Sequence, residues 1–86
     1  MLAVFRRGQW IEYLPRSTML ADPRISEDLK QLAASVYVTA LEKGFQKDWA
    51  HVLAEALVFK NLYPELAYDD SLESDLKKLT DRGGRA

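Results

Sequence analysis

Apolar residues recur at three-and-four spacing through the middle of the chain. Ile25, Leu29, Leu32, Ala33, Val36, Tyr37, Ala40 and Leu41 line up on one side of a 3.6-residue period, which predicts an amphipathic helix. Its start is signalled twice. Asp22-Pro23 offers a cap followed by proline at the first helical position, and Ser26 offers a second cap one turn later. Glu27 and Asp28 put negative charge where the helix dipole favours it, and Lys43-Gly44 supplies the stop.

A second helix is expected from about Asp48, as N-cap, to Leu62 or Tyr63 ahead of Pro64. Trp49, Val52, Leu53, Ala56, Leu57, Val58, Phe59 and Leu62 wrap more than half of its circumference. A helix this apolar is either central to the fold or committed in part to another chain. The short break at residues 44–47 favours an antiparallel helical hairpin. Leu72, Leu76 and Leu79, with Asp70 and Glu73 in a capping-box pattern, predict a third helix at about 70–81.

The first fifteen residues follow a different rule. Ala3-Val4-Phe5 and Trp10-Ile11-Glu12-Tyr13-Leu14 favour strands and flank an Arg7-Gly8 turn, so a β-hairpin is expected, ended by Pro15. Residues 15–24 read as a linker. The whole predicts a mostly α single domain: a hairpin at 1–15 packed on an antiparallel helical hairpin within 22–82, a short third helix, and a flexible tail at 83–86.

Composition narrows the chemistry. Eighty-six residues leave room for one core, and such a chain buries only about 60% of its unfolded surface. With no cysteine there is no disulfide, thiolate metal site or thiol nucleophile, and with one histidine a zinc site is not expected. A formal net charge of −1 gives no overall basic field. Arg6 and Arg7 interrupt the apolar start before a signal-peptide core can form, and no apolar run reaches the length of a membrane span. A cytoplasmic protein is expected, without cofactor, membrane contact or an evident small-molecule substrate.

His51 stands one helical turn before Glu55, close enough in sequence for a carboxylate to hydrogen-bond its ring. No serine or threonine nucleophile sits at a useful spacing, so catalysis is not expected. It would require His51 to open onto a pocket beside Glu55 or Glu12. The acids from Glu65 to Asp75 lack the order of a calcium loop and are better read as helix caps. Arg6, Arg7 and Arg16 lie near Trp10 and Tyr13, a basic-aromatic combination suited to nucleic acid. The surplus apolar surface of the second helix points instead to a protein partner or a second copy, with Trp49, Phe59 and Tyr63 as contact residues.

Within residues 37–63, Tyr37-x-x-Ala40-x-x-x-Gly44-Phe45 is followed by Ala50-His51-x-x-Ala54-x-Ala56-x-Val58. This segment resembles the small bacterial ChaB proteins, although Glu55 stands where that family usually carries tryptophan. The resemblance implies a small bacterial accessory protein without catalytic residues, in a family named for a proposed role in regulating cation transport. The expected function is accordingly non-catalytic: an accessory or adaptor protein, homodimeric in its simplest form, with nucleic-acid binding through the basic hairpin as the alternative.

Overall fold

In the computed structural model, residues 2–80 are described; the end of the predicted third helix and the tail at 83–86 lie outside them. The order is β1 (Leu2–Arg6), β2 (Gln9–Tyr13), α1 (Ser17–Leu20), α2 (Glu27–Glu42), α3 (Lys47–Leu62) and α4 (Asp70–Thr80). The fold is mostly α with an N-terminal antiparallel hairpin, as the patterning predicts.

The two strands are joined by Arg7 and Gly8, with φ of 54° and 79°. Two positive φ values match the twist of a tight hairpin turn, and the register pairs Phe5 with Trp10 and Leu2 with Tyr13. Leu2, Val4, Ile11 and Tyr13 face the helices, whereas Ala3, Phe5, Trp10 and Glu12 face away. The chain from Arg16 to Leu20 is not plain linker. It turns into the one-turn helix α1, whose Met19 is fully buried. No helical period is detectable over four residues, so α1 leaves no trace in the hydrophobic pattern.

Helix α2 starts one turn later than Asp22-Pro23 would place it. Ser26 is its N-cap, its hydroxyl accepting from the Leu29 N–H at 3.3 Å. Asp22 is taken instead by Arg24, which donates to it from both backbone and guanidinium. The other end closes as expected. Gly44 at φ 93° lets its own N–H reach the Leu41 carbonyl and the Phe45 N–H reach that of Ala40, a Schellman closure.

Helix α3 begins at Lys47 with Gln46 as cap, earlier than Asp48 suggested, and Asp48 contributes charge to the first turn rather than a cap. For α4 the cap shifts from Asp70 to Asp69, whose carboxylate accepts from the Leu72 N–H at 3.0 Å. Glu73 reaches back to the Tyr68 N–H at 3.2 Å, so the reciprocal capping exists one residue out of the expected frame.

The core lies between α2 and α3. Ala33, Ala34 and Ala40 on α2 and Ala50, Ala54 and Ala56 on α3 are buried, and their small side chains allow close helix approach. Leu53, Val38 and Val58 fill the space between, with Leu72 and Leu76 sealing one side from α4. The apolar surplus of α3 is largely absorbed here: Trp49, Val52, Leu57, Phe59 and Leu62 are half-buried against this core. A central helix meets neighbours on several sides, which explains its broad stripe.

Gly44→Ala should lower the urea midpoint without altering the slope. A Cβ there would meet nothing within 4 Å, so the cost is backbone strain alone, about 1 kcal/mol.

Candidate functional site

Two features of this fold depart from a fully satisfied core: an internal polar cluster and an outward aromatic pair. The cluster is built where β2 meets the helices. Tyr13 closes the hairpin and is completely buried. Its ring lies 5.2 Å from that of Tyr37 on α2 and 5.7 Å from that of His51 on α3, and the Tyr37 and His51 rings are 4.6 Å apart. Three aromatic rings from three elements thus meet in one contact. The Tyr13 hydroxyl donates to the Met19 sulfur at 3.4 Å, tying α1 to the same point.

His51 Nδ1 and Glu55 Oε2 are sealed from solvent with no hydrogen-bond partner among the described residues. Although one turn apart on α3, they do not bond to each other. Burial drives both titrations. It lowers the His51 pKa below its ordinary 6.5, with Arg16 and Lys47 adding to the effect and Asp48 opposing it. It raises the Glu55 pKa above the usual carboxylate value, and the Arg16 charge pulls weakly the other way. The Tyr13 hydroxyl is pushed up to about 12, chiefly by burial and then by the Glu55 charge.

The half-buried His51 ring packs against both Tyr13 and Tyr37, and Glu12 points outward from the opposite face of the hairpin. Among the described residues, no group of three or more His, Cys, Asp or Glu could hold a metal ion. No helix there is long and apolar enough to cross a membrane.

The residues singled out from the sequence are dispersed. Trp49 is half-buried and donates its indole N–H to Asp75 on α4 at 2.8 Å, so it locks two helices together. Phe59 is half-buried on the side of α3 that meets Tyr68 and Leu72. Tyr63 stays partly exposed at the end of α3, with the Arg24 guanidinium 5.0 Å from its ring centroid. Arg6 lies under the hairpin, bonding Glu42 at 2.9 Å and Ser35 at 3.4 Å. Arg7 at the tip approaches Glu42 at 3.7 Å, and Arg16 bonds Asp48 at 3.2 Å. All three arginines therefore have carboxylate partners and form no continuous basic track.

The outward pair was half visible beforehand. Phe5 and Trp10 stack across the strands at 5.1 Å, and they remain 55% and 71% exposed. Leu14, next in the outward alternation, and Leu20 on α1 are also exposed. Trp10 is among the aromatic candidates that the sequence offers, and Phe5 is not. Placing the turn at Arg7-Gly8 pairs positions 5 and 10 directly, and that pairing was the available signal.

No family model, curated protein or solved structure matches the chain.

The internal cluster sets the response to acid. A histidine whose folded pKa is depressed gives stability that is complete above the unfolded value of about 6.5 and is lost as pH falls towards the folded value. Glu55 has the opposite sign: its raised folded pKa gives stability below the unfolded carboxylate value that is lost as pH rises through the folded one. The urea midpoint should therefore fall as pH drops below about 6.5, and His51→Phe should flatten that limb. Glu55→Gln should raise the midpoint at neutral pH.

Proposed function

We propose that this chain is a non-catalytic accessory or adaptor protein that works by binding another protein chain, its own copy in the simplest case. The observation that carries the reading is the Phe5–Trp10 pair on the outward face of the hairpin. Aromatic side chains on a rigid strand scaffold supply large contact area at little entropic cost, and tryptophan is enriched at binding hot spots. The pair braces the two strands against each other, but the hairpin is held to the helices by the residues on its other side.

A twofold arrangement suits the geometry. The Phe5–Trp10 patch of one copy could meet the same patch of another, burying the most exposed aromatic surface of both. Trp49 and Phe59 belong to internal packing, which moves the weight of the interface from α3 to the hairpin; Tyr63 stays at its margin. The resemblance to ChaB supports the same class of function, and a bacterial, cytoplasmic accessory protein is the reading that goes with it. Nucleic-acid binding is the weaker alternative, since Arg6, Arg7 and Arg16 are answered by Glu42 and Asp48.

Sedimentation over a concentration series should show reversible dimers. Trp10→Ser should weaken association at least about tenfold while leaving the urea midpoint nearly unchanged. Trp49→Phe, which breaks the bond to Asp75, should do the reverse. A wild-type chain that stays monomeric throughout would overturn self-association.

A further inference from the structure

A two-stranded sheet has two edges, and the register of this one fixes which backbone groups each edge exposes. The two-residue turn makes Arg6–Gln9 a hydrogen-bonded pair, so Val4–Ile11 and Leu2–Tyr13 are bonded pairs as well. Ala3–Glu12 and Phe5–Trp10 fall at the non-bonded positions between them, and their N–H and C=O groups point away from the neighbouring strand. Ala3 and Phe5 therefore present two donors and two acceptors on the outer edge of β1, and Trp10 and Glu12 do the same on β2. Among the described residues, none of these groups bonds to another segment of backbone.

The two edges are not equivalent. Tyr13 of β2 reaches Tyr37 on α2 and His51 on α3, so β2 lies towards the junction of the long helices. β1 packs chiefly on β2 and α2, and its Arg6 reaches Ser35 and Glu42. The β1 edge carries no proline, lysine or bulge, the usual devices that block edge pairing, and its one charge, Arg6, turns inward to Glu42. The β2 edge instead carries the Glu12 carboxylate and runs on to Pro15. Ser35 shares its face of α2 with Leu32 and Thr39, three residues before it and four after. All three stay at least partly exposed, Leu32 to 37%. The free edge of β1 thus runs beside an uncovered flank of the helix it packs on.

We infer that β1 pairs antiparallel with β1 of a second copy of this chain, about a twofold axis at Val4. Ala3 of one copy then faces Phe5 of the other, and all four outward groups of each strand find partners. Val4 meets Val4 across the axis and Arg6 faces Leu2, so no charge stands opposite a like charge. A small residue opposite a large one on both sides of the axis leaves room for the rings, and the two Phe5–Trp10 pairs join on one face of a four-stranded sheet. A foreign extended peptide would satisfy the edge but leave the Leu32 flank bare. The second copy brings its own α2 alongside and covers that flank too. The inference rests on the self-association proposed above and specifies the contact that makes the dimer.

Amide hydrogen exchange, read by NMR over a concentration series of the wild-type full chain, tests the pairing without any substitution. The Ala3 and Phe5 amides should exchange at least about tenfold more slowly in the dimer than in the monomer, while those of Trp10 and Glu12 keep their rates. In sedimentation, Ala3→Pro, which removes an outward N–H, should weaken association at least about tenfold. Glu12→Pro, the same change on the other edge, should leave association unaltered, with circular dichroism checking that both variants fold. Leu32→Arg should weaken association as well. Dimers whose Ala3 and Phe5 amides exchange as fast as in the monomer would overturn the edge pairing and leave self-association through the aromatic face standing. Slowing at Trp10 and Glu12 in place of Ala3 and Phe5 would overturn it in favour of the other edge. A chain that stays monomeric at every concentration would overturn both readings.

Discussion

The burial of Tyr13 is the contact on which the rest of the molecule depends. A two-stranded sheet is marginal in water and needs something to lean on. Here the last residue of β2 inserts completely into the helical core and meets one ring from each of the two long helices. That single insertion holds the hairpin against α2 and α3 and gives Met19 of α1 a partner in the Tyr13 hydroxyl. Around it, Leu2, Val4 and Ile11 need only be half-buried, and the Arg6–Glu42 pair secures the far end near the turn.

The same contact brings a cost into the core. His51 must lie against Tyr13 and Tyr37 to complete the ring cluster, and this strands its Nδ1 away from water. Glu55, one turn further along α3, loses solvent in the same region while still close enough to Tyr13 to raise its hydroxyl pKa. Buried polar atoms without partners are expensive, and an apolar residue at either position would be easier to fold. Breaks of local rules of this kind tend to mark places where a chain does something besides fold. Glu55 fits that description better than His51. Its side chain also lines an open groove, whereas the half-buried His51 ring packs against two tyrosines.

Much of the architecture was legible because periodicity is a statement about burial. The α2 stripe, the Gly44 stop, the α4 leucines and the alternating strands each map directly onto an observed face. Errors gathered where a choice rested on a single side chain. Asp48 and Asp70 are competent caps, yet Gln46 and Asp69 hold those positions; of the two caps offered for α2 it is Ser26 that serves, Asp22 being held by Arg24. The candidate sites were less legible still. The apolar excess of α3 cannot reveal by pattern alone whether a third helix or a second chain covers it, and α4 covers part of it. Arg6 looks like a surface cation until the hairpin folds back and places it over Glu42.

Register makes the division of labour on the hairpin stringent. Side chains alternate with period two, so the turn that sends Tyr13 inward must send Phe5 and Trp10 outward. A one-residue slip of β2 against β1 would turn Trp10 inward and Tyr13 outward, and nothing in hydrophobicity alone forbids that exchange. What forbids it is the Arg7-Gly8 turn, whose two positive φ values fix the pairing, together with a core pocket shaped for a phenol between an imidazole and a second phenol. The exposed aromatics are therefore a consequence of the register that folds the protein. They remain free for an encounter because the opposite face carries the burden of stability.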